Sequence, residues 1–160
     1  MKQISCTMFI ILGMVAALFG PTPTTTAAGE SGTVTGVARA TFGPGAALGS
    51  VALSGIDLGT GLIIEPDGSG TGVFSAVLTG RSPLGQARQI TIDGEVLHGA
   101  LTPDGRALFS GRAAVNFGDG TPALSGIPFN VTTTANSVRL ALDSTTLPAA
   151  QLVGGTLNIQ

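Results

Sequence analysis

The sequence predicts an all-β fold: a single antiparallel meander of about eight strands closed as a small β-barrel, with a two-sheet β-sandwich as the alternative. Three observations predict it. Apolar and polar side chains alternate with period two along residues 88–118. Turn chemistry, Gly with Pro or Asp, recurs about every 8–12 residues. No stretch after residue 29 carries a helical period. Closure into a barrel would leave so small a sheet without exposed edges.

Residues 33–42 place Val34, Gly36, Ala38, Ala40 and Phe42 on one face, with Thr33, Thr35, Arg39 and Thr41 opposite. Gly43-Pro44-Gly45 then turns the chain. Val51 and Leu53 continue one parity up to Gly55, after which Ile56 and Leu58 carry the other, as a β-bulge at that point would produce. A hairpin follows, turning at Glu65-Pro66-Asp67-Gly68.

The longest arms are residues 88–101 and 106–118. Ile90, Ile92, Gly94, Val96 and His98 share one face of the first, and Ala107, Phe109, Gly111, Ala113, Val115 and Phe117 one face of the second. A four-residue loop, 102–105, would pair Ile92 with Val115 and His98 with Phe109. A three-residue loop would shift the register and mix the faces. Asp93-Gly94 is a rival turn, but folding there also scrambles the faces, so Gly94 is read as a bulge or close approach within a continuous strand. Beyond Gly118-Asp119-Gly120-Thr121-Pro122, strands are expected around Ile127–Val131, Val138–Leu142 and Val153–Ile159. Pro128 lacks a donor and points to an edge or strand-start position. Residues 36–43 and 111–118 share the pattern G-x-A-x-x-x-F-G, which Gly/Ala-rich strands can produce without a duplication.

The first 28 residues have the layout of a secretory signal peptide: Lys2, a short apolar run, Gly20-Pro21, and small residues up to Ala28. The apolar run is shorter than the ~20 residues a membrane helix needs. Cleavage after Ala28 is expected, leaving residues 29–160 as a single all-β domain, extracellular or periplasmic, with no membrane span. Cys6 leaves with the signal, so the mature chain has no disulfide, thiolate metal site or cysteine nucleophile. It keeps six arginines against nine acids and no lysine. That balance gives no footprint for nucleic acid.

The candidate chemistry is sparse. Residues 43–49 follow a strand but lack the third glycine and the following helix of a dinucleotide loop, so they read as a turn. Asp67, Ser69 and Thr71 supply too few oxygens for calcium and read as an Asx-type turn. His98, the only histidine, has no G-x-S-x-G serine for a triad and too few companions for zinc. If it faces inward it could line a barrel mouth beside Phe109, and these two are the candidate ligand-binding residues. Asp93 and Glu95 share a face with Thr91 and Gln89 and read as a solvated, salt-bridged surface rather than a catalytic pair. Asn130-Val131-Thr132 is a glycosylation sequon, relevant in a eukaryotic host. Tyr and Trp are absent, which weakens lectin and outer-membrane-barrel readings.

No catalytic residue, metal site or cofactor is therefore assigned. The expected function is that of a secreted, non-enzymatic β module of an envelope, matrix or surface assembly, its partner a protein or envelope component. The alternatives are a small-barrel carrier of an apolar ligand and, less favoured, a hydrolase-like enzyme using His98. Phe42, Phe109 and Phe117 are the large residues that could fill a carrier's cavity.

Overall fold

The computed structural model describes residues 30–160, so the expected signal peptide and its cleavage site lie outside the described residues. Every regular element among the described residues is a β-strand. They are β1 (Gly32–Thr41), β2 (Ala47–Leu48), β3 (Val51–Ile64), β4 (Ser69–Arg81), β5 (Ala87–Leu101), β6 (Ala107–Asn116), β7 (Leu124–Thr133), β8 (Ser137–Leu142), β9 (Thr145–Thr146) and β10 (Ala150–Ile159).

Each strand from β3 to β8 pairs antiparallel with the next, β8 passes to β10, and β10 pairs with β1. Because β1 also pairs with β3, the sheet closes on itself. The fold is the expected antiparallel meander, an eight-stranded ring of β1, β3–β8 and β10, and not an open two-sheet sandwich. The ring is uneven. Its junction between β8 and β10 consists of Ala150 opposite Val138 and Gln151 opposite Ser137. Beyond Gln151, β10 has β1 as its only strand partner among the described residues.

Three hairpins use the same turn. In 65–69, 82–86 and 102–106 the first residue's N–H donates to the fifth residue's carbonyl, and the glycine at position four donates back to the first. Pro stands second in each, and Gly68, Gly85 and Gly105 adopt φ of 83°, 79° and 77°, a region open to glycine at little cost. These are three-residue loops with the left-handed glycine that such loops favour.

The loop length corrects the expected register at one end of the long hairpin. Ile92 faces Val115 as expected, but Leu101 faces Ala107, Gly99 faces Phe109 and His98 faces Ser110. The odd loop does not mix the faces because Leu97 is an extra residue, a β-bulge that restores parity between the turn and Val96. The bulge expected near Gly55 is present, with the β3–β4 register shifting between Leu53 and Gly55. Leu53, Ile56 and Leu58 are all buried across it. Pro128 pairs with Arg112 on β6, β8 ends opposite Phe129, and the Pro128 carbonyl accepts from the Asp143 N–H at 2.8 Å, so Pro128 closes the stretch of β7 that has neighbours on both sides.

The inner face is apolar along every strand of the ring. Val34, Ile56, Leu62, Leu78, Ile90, Ile92, Val115, Val131 and Leu140 are among its buried residues. Phe74 lies at its centre, edge-on to Phe109 at 5.7 Å and stacked on Phe129 at 5.4 Å between ring centroids. The central aromatic cluster is thus Phe74, Phe109 and Phe129, whereas Phe42 and Phe117 are only partly buried against it. Gly94 lies within the continuous strand β5 and leaves room for that cluster, since a Cβ there would stand 2.7 Å from the Phe129 ring.

Candidate functional site

The filled interior directs attention to the outside of the barrel. Outward side chains fall into rows that run across the strands, because directly opposed residues of an antiparallel sheet share a face. One row is Val37, Gly59, Ser75 and Asp93, carried by β1, β3, β4 and β5. The adjacent row is Arg39, Asp57, Val77 and Thr91. The two rows, with Val153, Gly154 and Gly155 of β10, line a shallow recess of about 820 Å3.

Small residues make the recess. Gly59 has no side chain, and Ser75 beside it is short, so the middle of the wall is low. Val37 and Val153 rise at one end and are 70% and 59% exposed. Arg39 Nε donates to Asp57 Oδ1 at 2.6 Å. The pair is exposed, so it contributes little to stability. It does cancel the charge of both partners within the recess, leaving Asp93 as the uncompensated group.

Asp93 and Glu95 do not form the salt-bridged surface expected of them. Among the described residues the ion pairs are Arg39–Asp57 and Arg106–Asp104. Glu95 lies opposite Arg112, but the Arg112 guanidinium donates to the Gly126 carbonyl at 3.2 Å. Both acids are exposed on the outer wall.

His98 and Phe109 are separated by the wall of the barrel. His98 is exposed, contrary to the expected inward orientation, because the Leu97 bulge advances it by one position. Phe109 points inward against Phe74. They meet only as borders of a hollow of about 260 Å3 on the outer face, where His98, Ser110 and Asn130 form a row across β5, β6 and β7. Asn130 of the sequon is exposed in that row.

The turn aspartates are committed to local bonds. Asp67 Oδ1 accepts from the Ser69 N–H at 2.9 Å and the Ser69 hydroxyl at 2.6 Å, the Asx-type turn expected there. Those bonds, hydroxyl first, hold its carboxyl below the usual carboxylate range. Asp104 is lowered by Arg106 and then by the Thr102 hydroxyl, and Asp119 by the Thr121 hydroxyl and then its N–H. No cluster of three or more His, Cys, Asp or Glu among the described residues is placed to hold a metal ion.

The outer recess was not foreseen from the sequence. Its signal was present in the outward positions, where Gly59, Ser75 and Gly154 leave a gap between exposed valines. Seeing it required knowing which strands are neighbours, above all that β10 returns to β1. Comparison with family models, curated proteins and solved structures returned no match.

Proposed function

We propose that this chain is a secreted, non-enzymatic β module of an envelope, matrix or surface assembly, working by contact through its outer wall. One observation carries the reading: apolar side chains form one buried cluster inside the ring, while the recess opens on the outside. The signal-like composition of residues 1–28 supports export. Charged outward residues at mid-strand, among them Arg39, Asp57, Asp93 and Arg112, argue against a lipid-facing wall.

The apolar-carrier alternative has less support, because the Phe74, Phe109 and Phe129 rings occupy the centre where a ligand would sit. A His98 enzyme has less again. His98 stands exposed on a strand between Ser69 of β4 and Ser110 of β6; the Ser69 hydroxyl donates to Asp67 at 2.6 Å, and His98 makes no side-chain hydrogen bond to either serine among the described residues.

The test is retention of the mature protein on envelope or matrix material from its own host, alongside native mass spectrometry. Contact through the recess predicts retention that drops in Gly59→Val and persists in His98→Ala. A co-purifying apolar small molecule, or retention indifferent to Gly59→Val, would contradict it.

A further inference from the structure

We propose that the outer recess holds an extended basic peptide segment of a partner, lying across β10, β1, β3, β4 and β5 with a basic side chain against Asp93. This deepens the contact reading above and rests on it. The recess crosses five strands, which at about 4.8 Å spacing is roughly 19 Å, the length of about six extended residues. Its lining has no aromatic ring, so it offers nothing for a sugar face to stack on.

The chemistry of the lining is graded from end to end. At the β10 end, Val37 and Val153 stand exposed above Gly59 and Gly154, a seat for an apolar side chain. At the β5 end, Asp93 has Ser75 and Ala114 as its cross-strand neighbours, and neither can neutralise it. Arg39 is already engaged by Asp57 at 2.6 Å. A ligand with an apolar group and a nearby cation matches that order, and an anionic one does not.

The β10 end is also open. Ala40 faces Leu152 and Arg39 faces Gly154, so Val153 has no opposite residue on β1. Among the described residues β10 has no strand partner on its other side past Gln151, although Leu152 N–H still donates to the Asn136 carbonyl at 2.9 Å. Unlike most exposed strand edges, β10 carries neither a charge nor a proline. A segment crossing the strands therefore runs out past that edge without meeting a charge or a further strand.

The experiment uses fluorescence anisotropy of the mature protein with a labelled, end-capped Val-Gly-Arg-Val-Gly-Arg peptide. Its Glu-for-Arg counterpart and a labelled cello-oligosaccharide serve as comparisons. The basic peptide should bind more tightly than either, and more weakly as salt rises. Asp93→Asn should weaken binding about three- to tenfold, the range of a modest ion pair. Gly59→Val should abolish binding by filling the recess, with its melting temperature showing that the fold survives. Ser75→Gln is the second filling variant should Gly59→Val fail to fold. Glu95→Gln, outside the recess, should leave binding within about twofold.

Equal binding of the acidic peptide, preference for the oligosaccharide, or an Asp93→Asn protein unchanged in affinity would overturn the proposal. The two readings fail separately. Retention on host material that Gly59→Val abolishes, without binding of the basic peptide, leaves the contact surface standing and removes its peptide partner. Retention indifferent to Gly59→Val removes both.

Discussion

At the scale of single residues, two glycines separate space from conformation. Gly111 sits where a Cβ would lie 1.8 Å from the Glu95 carbonyl oxygen, so Gly111→Ala forces the β5–β6 ladder apart. Its expected destabilisation is about 3 kcal/mol, the upper end of ordinary overpacking. Gly105 has open space around it but holds φ at 77°, so Gly105→Ala should cost only about 1 kcal/mol. Urea midpoints of the two variants check the order, and equal values would refute it. The turn aspartates give a second residue-scale prediction. Asp67, Asp104 and Asp119 have folded pKa values below their unfolded ones, so the folded state binds fewer protons than the unfolded chain. Their contribution is full above the ordinary carboxylate range and drains away as pH falls through the folded values, below about pH 4. Melting temperatures followed from pH 6 to pH 2 should show this decline, and the triple Asp→Asn variant should flatten it. An unchanged slope in that variant would assign acid sensitivity to other groups.

At the scale of elements, the long hairpin shows what parity can reveal and where it stops. Ile90, Ile92, Val96, Phe109, Ala113 and Val115 alternate cleanly enough to place the deep register, and Ile92 does face Val115. Near the turn, an even loop and an odd loop with one compensating bulge bury the same residues of β6 and of β5 up to Val96, and they differ only beyond Leu97, where His98 and Ala100 exchange faces with Gly99 and Leu101. Leu97 is the bulge, and a single exposed leucine among outward positions gives no signal of that role. Hence the orientation of His98 was not legible, although the strand carrying it was. The prediction at this scale is a pair of deletions. Removing Leu97 leaves Val96 and Gly99 facing inward and joins two correct registers against β6, while the irregular β4 pairing at residues 69–72 widens, so the protein should still fold with a lower melting temperature. Removing Thr91 instead flips part of β5 to the wrong face and should abolish cooperative unfolding. Equal damage from both deletions would contradict the bulge assignment.

For the whole molecule, the question is how a chain this poor in aromatic residues makes one domain. The ring lets every inward face share one core, with three phenylalanines at the centre and glycines where backbone or ring comes close. That arrangement also accounts for the shared pattern at 36–43 and 111–118 without a duplication. Gly36 and Gly111 each lie against a carbonyl of the neighbouring strand, that of Thr156 at 2.1 Å and that of Glu95 at 1.8 Å from a would-be Cβ. Strand number and antiparallel order were readable from turn spacing and alternation. Closure was expected from the edges an open sheet would expose, but the strands that close it were not readable, because β10 returns to β1 between residues more than a hundred positions apart, with no local mark on either strand. The uneven junction at β8 and β10, and with it the free edge beside the recess, follows from that same return. Closure is most directly tested by cross-strand NMR contacts on both sides of β10 in the mature protein. A closed ring predicts backbone contacts from β10 to both neighbours, Leu157 to Gly36 of β1 and Ala150 to Val138 of β8, while β1 also shows ladder contacts to β3 at Thr35–Gly61 and Val37–Gly59. Contacts missing between β10 and either neighbour would mean an open sheet, and loss of those to β1 would take one wall from the outer recess.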